Sequence, residues 1–195
     1  MSNNTDASKS RLWVDGDAFR APAGTPLPAG EGVDIFNDDE FTGWDAYGAI
    51  KAGFEVSSNQ ESSNLSAWNA KGAYRKKKED AIKSIAMRPV DESKATILTL
   101  LRGGSVAETA TGSGVFELIE GDDEEFALLL VCRDPGHGSK AYYIERGTLD
   151  NLPNEVINDE DLNGYDLVIT ALTPAGGGRA VRPFVDSNPL APAAP

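Results

Sequence analysis

Hydrophobic and polar positions alternate with a period of two along much of this chain. From Gly48 to Ser57, Ile50, Ala52, Phe54 and Val56 share one face, and Lys51, Gly53, Glu55 and Ser57 the other. That spacing predicts a half-buried strand. Residues 57–64 are entirely polar and read as a loop. Residues 65–77 alternate more loosely, with Trp68, Ala70 and Tyr74 in register. Residues 81–87 set Ala81, Ile85 and Met87 against Ile82 and Ala86. Together these segments predict an antiparallel meander. Residues 114–120 form a further strand, followed by the acidic turn Gly121-Asp122-Asp123-Glu124-Glu125. The strand read over 126–133 is apolar without interruption from Phe126 to Cys132, the mark of a strand buried on both faces. Asp134-Pro135-Gly136-His137-Gly138 is a turn, because Asp, Pro and Gly suit its dihedral angles. Residues 140–146 and 165–173 alternate again, the latter with Tyr165, Leu167, Ile169 and Ala171 on one face.

One segment has helical spacing instead. Ala95, Leu98 and Leu101 recur behind Pro89 and the expected N-cap Asp91, and Gly103-Gly104 supplies a stop. The helix is therefore expected near residues 91–102. Residues 14–43 are rich in Gly, Pro and Asp, and Ala21-Pro22-Ala23-Gly24-Thr25-Pro26-Leu27-Pro28 removes backbone donors. They read as an extended arm or loop, between a polar tail at 1–13 and a domain at 44–185. Residues 186–195 read as a Pro/Ala-rich tail. The fold class is mainly β with a minor α component: an antiparallel β-sandwich or barrel of about seven strands flanked by one helix.

The 195 residues include 18 basic and 31 acidic side chains, for a net charge of −13. A general nucleic-acid binder needs a positive footprint, so that class is disfavoured. One cysteine, Cys132, allows neither an intramolecular disulfide nor a multi-cysteine zinc site. One histidine, His137, leaves no multi-histidine centre. The N-terminus has no apolar h-region, and the longest apolar run is far shorter than a membrane helix. These features predict a soluble protein made in the cytoplasm.

The candidate chemistry is thin. Asp159-Glu160-Asp161-Leu162-Asn163-Gly164 matches the first half of a calcium loop, but Thr170 stands where the bidentate glutamate belongs. It reads as an acidic turn. Arg75-Lys76-Lys77-Lys78 is the one basic cluster, diluted by Glu79 and Asp80. It reads as a solvated hairpin end or an inter-subunit salt-bridge site. Cys132, inside an apolar run, reads as a small buried hydrophobe, and His137 has no neighbours that suggest a triad. Gly176-Gly177-Gly178-Arg179 lacks the spacing of a phosphate loop. Trp44 and Trp68 read as core aromatics. No set of residues composes an active site, so no catalytic, cofactor or metal residue is assigned.

The order of these elements carries a resemblance. A Pro/Thr/Gly arm leads into Phe41-Thr42-Gly43-Trp44-Asp45-Ala46-Tyr47-Gly48-Ala49-Ile50, and a strand ends at Phe54-Glu55-Val56-Ser57. A polar loop follows, then Leu65-Ser66-Ala67-Trp68-Asn69-Ala70-Lys71-Gly72-Ala73-Tyr74-Arg75, a strand and the helix. Over residues 10–185 the chain resembles the major tail protein, or tail tube subunit, of long-tailed bacteriophages, particularly those of actinobacterial hosts. Some members carry a C-terminal immunoglobulin-like domain, which is not expected here. The resemblance implies a non-enzymatic virion protein located in the tail. Homohexameric rings would stack into a hollow tube, with strands of each subunit joining an inner β-barrel that spans subunits. The implied partners are other copies, a tape-measure protein, and tail terminator and distal tail or baseplate proteins. DNA would pass without specific binding, and no cofactor or membrane is involved.

On that reading Lys51, Glu55 and Ser57 are candidate lumen-facing residues. Asn59, Glu61, Arg75, Lys76, Lys77 and Lys78, together with the 14–43 arm, are candidate inter-subunit contacts. The charge would keep DNA sliding rather than adhering. The alternatives are a soluble β-sandwich binding module, or another virion role such as capsid decoration or tail completion.

Overall fold

The computed structural model describes residues 10–66, 68, 69, 72–153, 155, 157, 159 and 162–188. The C-terminal tail beyond 188 and Asp161 of the acidic turn lie outside the described residues. The strands of the main sheet are β1 (Asp15–Pro22), β2 (Asp45–Ala46), β3 (Ile50–Asn59), β6 (Ile82–Pro89), β9 (Phe126–Asp134), β10 (Gly138–Leu149), β11 (Leu167–Ala171) and β12 (Arg182–Val185). Between them in sequence lie β4 (Ser62–Leu65), β5 (Arg75–Lys78), the helix α1 (Lys94–Leu101), β7 (Ser105–Glu108) and β8 (Phe116–Ile119). Every strand pairing is antiparallel.

The main sheet runs β2-β1-β9-β10-β11-β6-β3. The long β10 serves two strands on one side. Residues Lys140 to Tyr143 pair with β12, and Gly147 to Leu149 pair with β11, across an irregularity between Ile144 and Gly147. The sheet is open, with β2 and β3 as its edges, and is consistent with a sandwich rather than a closed barrel. Its curl still brings β1 near β3. A Cβ on Gly16 would lie 2.6 Å from the Val131 carbonyl and 3.0 Å from the Phe54 ring.

The apolar run of β9 divides its side chains between two cores. Phe126, Leu128 and Leu130 join Ile85, Ile144, Leu167 and Ile169 inside the curl. Ala127, Leu129 and Val131 join Phe19, Ala141 and Tyr143 on the other face. Burial on both faces is what an unbroken apolar strand predicts. The second face is covered by the Pro-rich segment, through Leu27, Ile35, Phe36, Phe41 and Trp44. Phe19 and Phe41 meet edge to face with centroids 5.0 Å apart. The Tyr143 hydroxyl donates to the Thr25 carbonyl at 2.6 Å, and the Arg133 Nε donates to the Phe36 carbonyl at 2.5 Å.

This corrects the reading of 14–43 as one arm. Its first third is β1, between β2 and β9, and its remainder packs on the same chain's sheet. Pro22 is tolerated because it stands at the strand's last position, paired with Phe126.

The helix begins later than expected. Ser93 is the N-cap and its hydroxyl accepts from the Thr96 N–H. Asp91 instead accepts the Ala49 N–H at 2.8 Å. Ala95 and Leu101 are buried as their spacing predicts, but Thr96 and Thr99 take the other buried positions and Leu98 is half-buried. The Thr99 hydroxyl donates to the Ala95 carbonyl at 2.8 Å, so the fully buried Tyr47 hydroxyl, 2.7 Å away, donates to Thr99. That link ties the helix to the chain leaving β2. Arg102 closes the helix in the left-handed conformation, followed by Gly103 at φ 81°.

Two further hairpins, β4–β5 and β7–β8, stand outside the main sheet. The polar stretch read as a loop at 57–64 supplies the end of β3 and most of β4. The stretch read as a strand at 65–77 contains the connection between β4 and β5. Arg75–Lys78 is a strand and not a hairpin end. A ribbon with water on both faces carries no apolar alternation, so its strands leave no periodic signal.

Candidate assembly surfaces

The residues expected to face a lumen lie together on the outward face of β3. Ile50, Phe54 and Val56 pack against the inner core, while Lys51 and Glu55 are exposed and Ser57 is half-buried. Ala52, at φ 64°, and Gly53 form a two-residue insertion between register pairs Lys51↔Arg88 and Phe54↔Met87. Because the insertion is even, the alternation resumes in phase and the sequence reads through it. Ala52 is nonetheless exposed, not core-facing.

Register extends this face across three strands. Glu55 sits beside Ala86 and then Val168, and Ser57 beside Ser84 and then Thr170. Lys51 sits beside Arg88, whose guanidinium lies 3.5 Å from Asp166. The Ser57 hydroxyl donates to Glu55 at 3.3 Å. The face is therefore mostly small or polar, with charges of both signs, and it ends at the free edge of β3.

The expected contact residues form a separate surface. Arg75, Lys76, Lys77 and Lys78 make up β5, every residue of β4 and β5 is exposed, and Asn59 and Glu61 lie at the hairpin's base. Trp68 is fully exposed, against its reading as core, whereas Trp44 is buried. The β7–β8 hairpin was legible only as a strand. It presents Val106, Phe116, Leu118 and Ile119 to solvent.

Cys132 is half-buried, and burial pushes its thiol up, away from a reactive thiolate. His137 is exposed in its turn, where its N–H donates to the Asp134 carbonyl. Of the acidic turn, Asn163 donates to Glu155 at 3.0 Å and Gly164 is buried against Arg88 and Pro89. Among the described residues no group of three or more His, Cys, Asp or Glu side chains is placed to hold a metal ion. Among them, too, no helix is long and apolar enough to cross a membrane.

Two clefts had no signal in the sequence, since each joins distant segments. One, of about 800 Å³, follows the seam between β1 and β3 and is lined by Trp13, Gly16, Ile50, Phe54 and Cys132. The other, of about 430 Å³, lies beside β2 and joins Asp39, Glu40 and Asp45 to Phe19, Phe41 and Trp44.

No curated protein matches the chain. Residues 1–188 match the model of a family described as phage tail tube protein, and the chain belongs to that family of structural components of the virion tail.

Proposed function

We propose that this chain is the major subunit of the tail tube: six copies close into a ring, rings stack, and DNA passes through the bore. The observation that carries the reading is the asymmetry of the sheet's two edges. The β2 edge is two residues long, whereas β3 offers ten residues whose other side pairs with no strand among the described residues. A long open edge on a lone subunit invites pairing with another chain. Closing several sheets into a shared barrel removes it. The outward face of β3, β6 and β11 then lines the bore, with Lys51, Glu55 and Ser57 toward DNA. On that face the basic Lys51 and Arg88 are matched by Glu55 and Asp166, so it presents no net positive surface to phosphate, and six copies multiply the net charge of −13.

Asn59, Glu61 and Arg75 to Lys78 belong on this reading to contacts between copies. A tape-measure protein occupies the bore during assembly, and terminator and distal tail or baseplate proteins cap the ends. The proposal does not depend on the host being actinobacterial.

Negative-stain microscopy of the purified chain tests the reading. Rings or tubes with a central hole are expected. A monodisperse monomer over a broad range of concentration and salt would contradict it.

A further inference from the structure

We propose that the basic hairpin β4–β5 of one copy docks in the acid-rimmed aromatic cleft beside β2 of a second copy. The inference rests on the tube reading, and it names which surfaces meet.

The hairpin's cations find little countercharge among the described residues of their own chain. Arg75, Lys76 and Lys78 make no ion pair among the described residues, and Lys77 reaches Glu79 only at 3.5 Å with both side chains exposed. Register places Arg75 opposite Leu65 and Lys77 opposite Ser63, with Lys76 and Lys78 on the other face, so both faces are basic. Leu65, Trp68 and Tyr74 add exposed apolar surface at the same end of the ribbon. A two-stranded ribbon is marginal alone in water, and contact with another surface stabilises it. The chemistry it presents is cationic and aromatic together.

Several acidic groups that could receive it are already engaged. In the acidic turn, Glu124 pairs with Arg20 at 2.5 Å, Glu125 holds Arg146 through both oxygens at 2.6 Å, and Asp123 accepts from Thr148. Asp34 and Asp38 are bonded within their own loop. Of the acids that make no side-chain hydrogen bond or ion pair among the described residues, which include Glu31 and Asp122, Asp39 and Glu40 are adjacent and stand at a cleft. They rim the cleft whose aromatic members are Phe19, Phe41 and Trp44. Asp45 in the same cleft already holds Lys94 at 2.9 Å, which shows that a lysine ammonium suits this edge. A second basic chain entering there gains opposite charges at the rim, over a floor of buried aromatic side chains. Nucleic acid is the weaker occupant for the hairpin. Glu61, Glu79 and Asp80 flank the four basic residues on a chain of net charge −13.

The test uses the full chain, with assembly followed by sedimentation and negative-stain microscopy across a salt series. Lys76→Glu/Lys77→Glu and Asp39→Lys/Glu40→Lys are made separately and combined, and circular dichroism checks the fold. Like-charge juxtaposition should raise the concentration needed for assembly about tenfold or more in each double variant. The four-site variant should recover assembly. Double variants that assemble at the wild-type threshold, or a folded four-site variant that fails to recover, overturn the docking. So does unchanged assembly with lost retention of a duplex DNA probe, which would assign the hairpin to nucleic acid. Tubes from the reversed variants would sink the docking alone. A wild-type chain that never associates would sink the tube reading as well.

Discussion

Arg20 is a cation inside the main core, and its partner decides whether it is tolerated. The residue is 3% exposed on β1, paired in register with Leu128. Its Nη2 lies 2.5 Å from Glu124 and its guanidinium carbon 4.9 Å over the Phe126 ring, while Nε has no partner among the described residues. Glu124→Gln removes the countercharge and leaves the cation. Breaking a fully buried pair costs about 3–5 kcal/mol. The Glu124 side chain is 38% exposed, so water reaches the site and the expected cost falls to about 2 kcal/mol. Arg20→Met fills similar volume without charge. Combined with Glu124→Gln it should bring the loss below about 1 kcal/mol, since well-packed apolar replacements of buried pairs are often near neutral. Urea unfolding of the full chain, below the concentration at which it associates, reads the cycle through the buried Trp44. Glu124→Gln within about 0.5 kcal/mol of wild type, or a double variant as unstable as the two losses added, would refute the reasoning.

Three further outcomes follow from the same contacts. Glu125 is held below the usual carboxylate range chiefly by its hydrogen bonds to Arg146, from a reference of 4.5. A depressed folded value means that this stability is present above about pH 4.5 and is lost as pH falls through the folded value, so Glu125→Gln should flatten the acid limb of a stability-against-pH curve. Burial pushes the Tyr47 phenol up from 10.0 to about 12, so the unfolded chain ionises first and stability falls between those values. Tyr47→Phe should remove that alkaline component while costing about 1 kcal/mol for the lost hydrogen bond, both read by thermal melts. A Cβ on Gly104 would lie 1.9 Å from the Ile119 carbonyl and 2.6 Å from the Gly121 N–H, so Gly104→Ala must push the two backbone segments away from each other. A loss of about 1–3 kcal/mol in urea is expected.

Legibility in the sequence followed burial. β9 and β11 stood out because one is apolar on both faces and the other alternates cleanly. The outward face of β3 was readable because its insertion is two residues long and keeps the phase. β1 was hidden because Gly16, Arg20 and Pro22 interrupt its pattern. It is nevertheless a central strand, because Arg20 finds Glu124 and Pro22 stands at the end. The helix cap was misplaced by two residues because Asp91 and Ser93 are both good caps, and only the fold gives Asp91 the Ala49 N–H instead. β12 offered four residues with one half-buried aromatic, too short for a period. The cleft beside β2 draws on Phe19 and on residues 39–46, and no local pattern joins them.

Helical reconstruction of assembled tubes by electron cryomicroscopy tests the central claim most directly. The account predicts a hollow wall in which β3, β6 and β11 turn Lys51, Glu55, Ser57 and Thr170 toward the bore and the β3 edge is paired across subunits. A wall with that face on the outside, or with β3 unpaired, would contradict it.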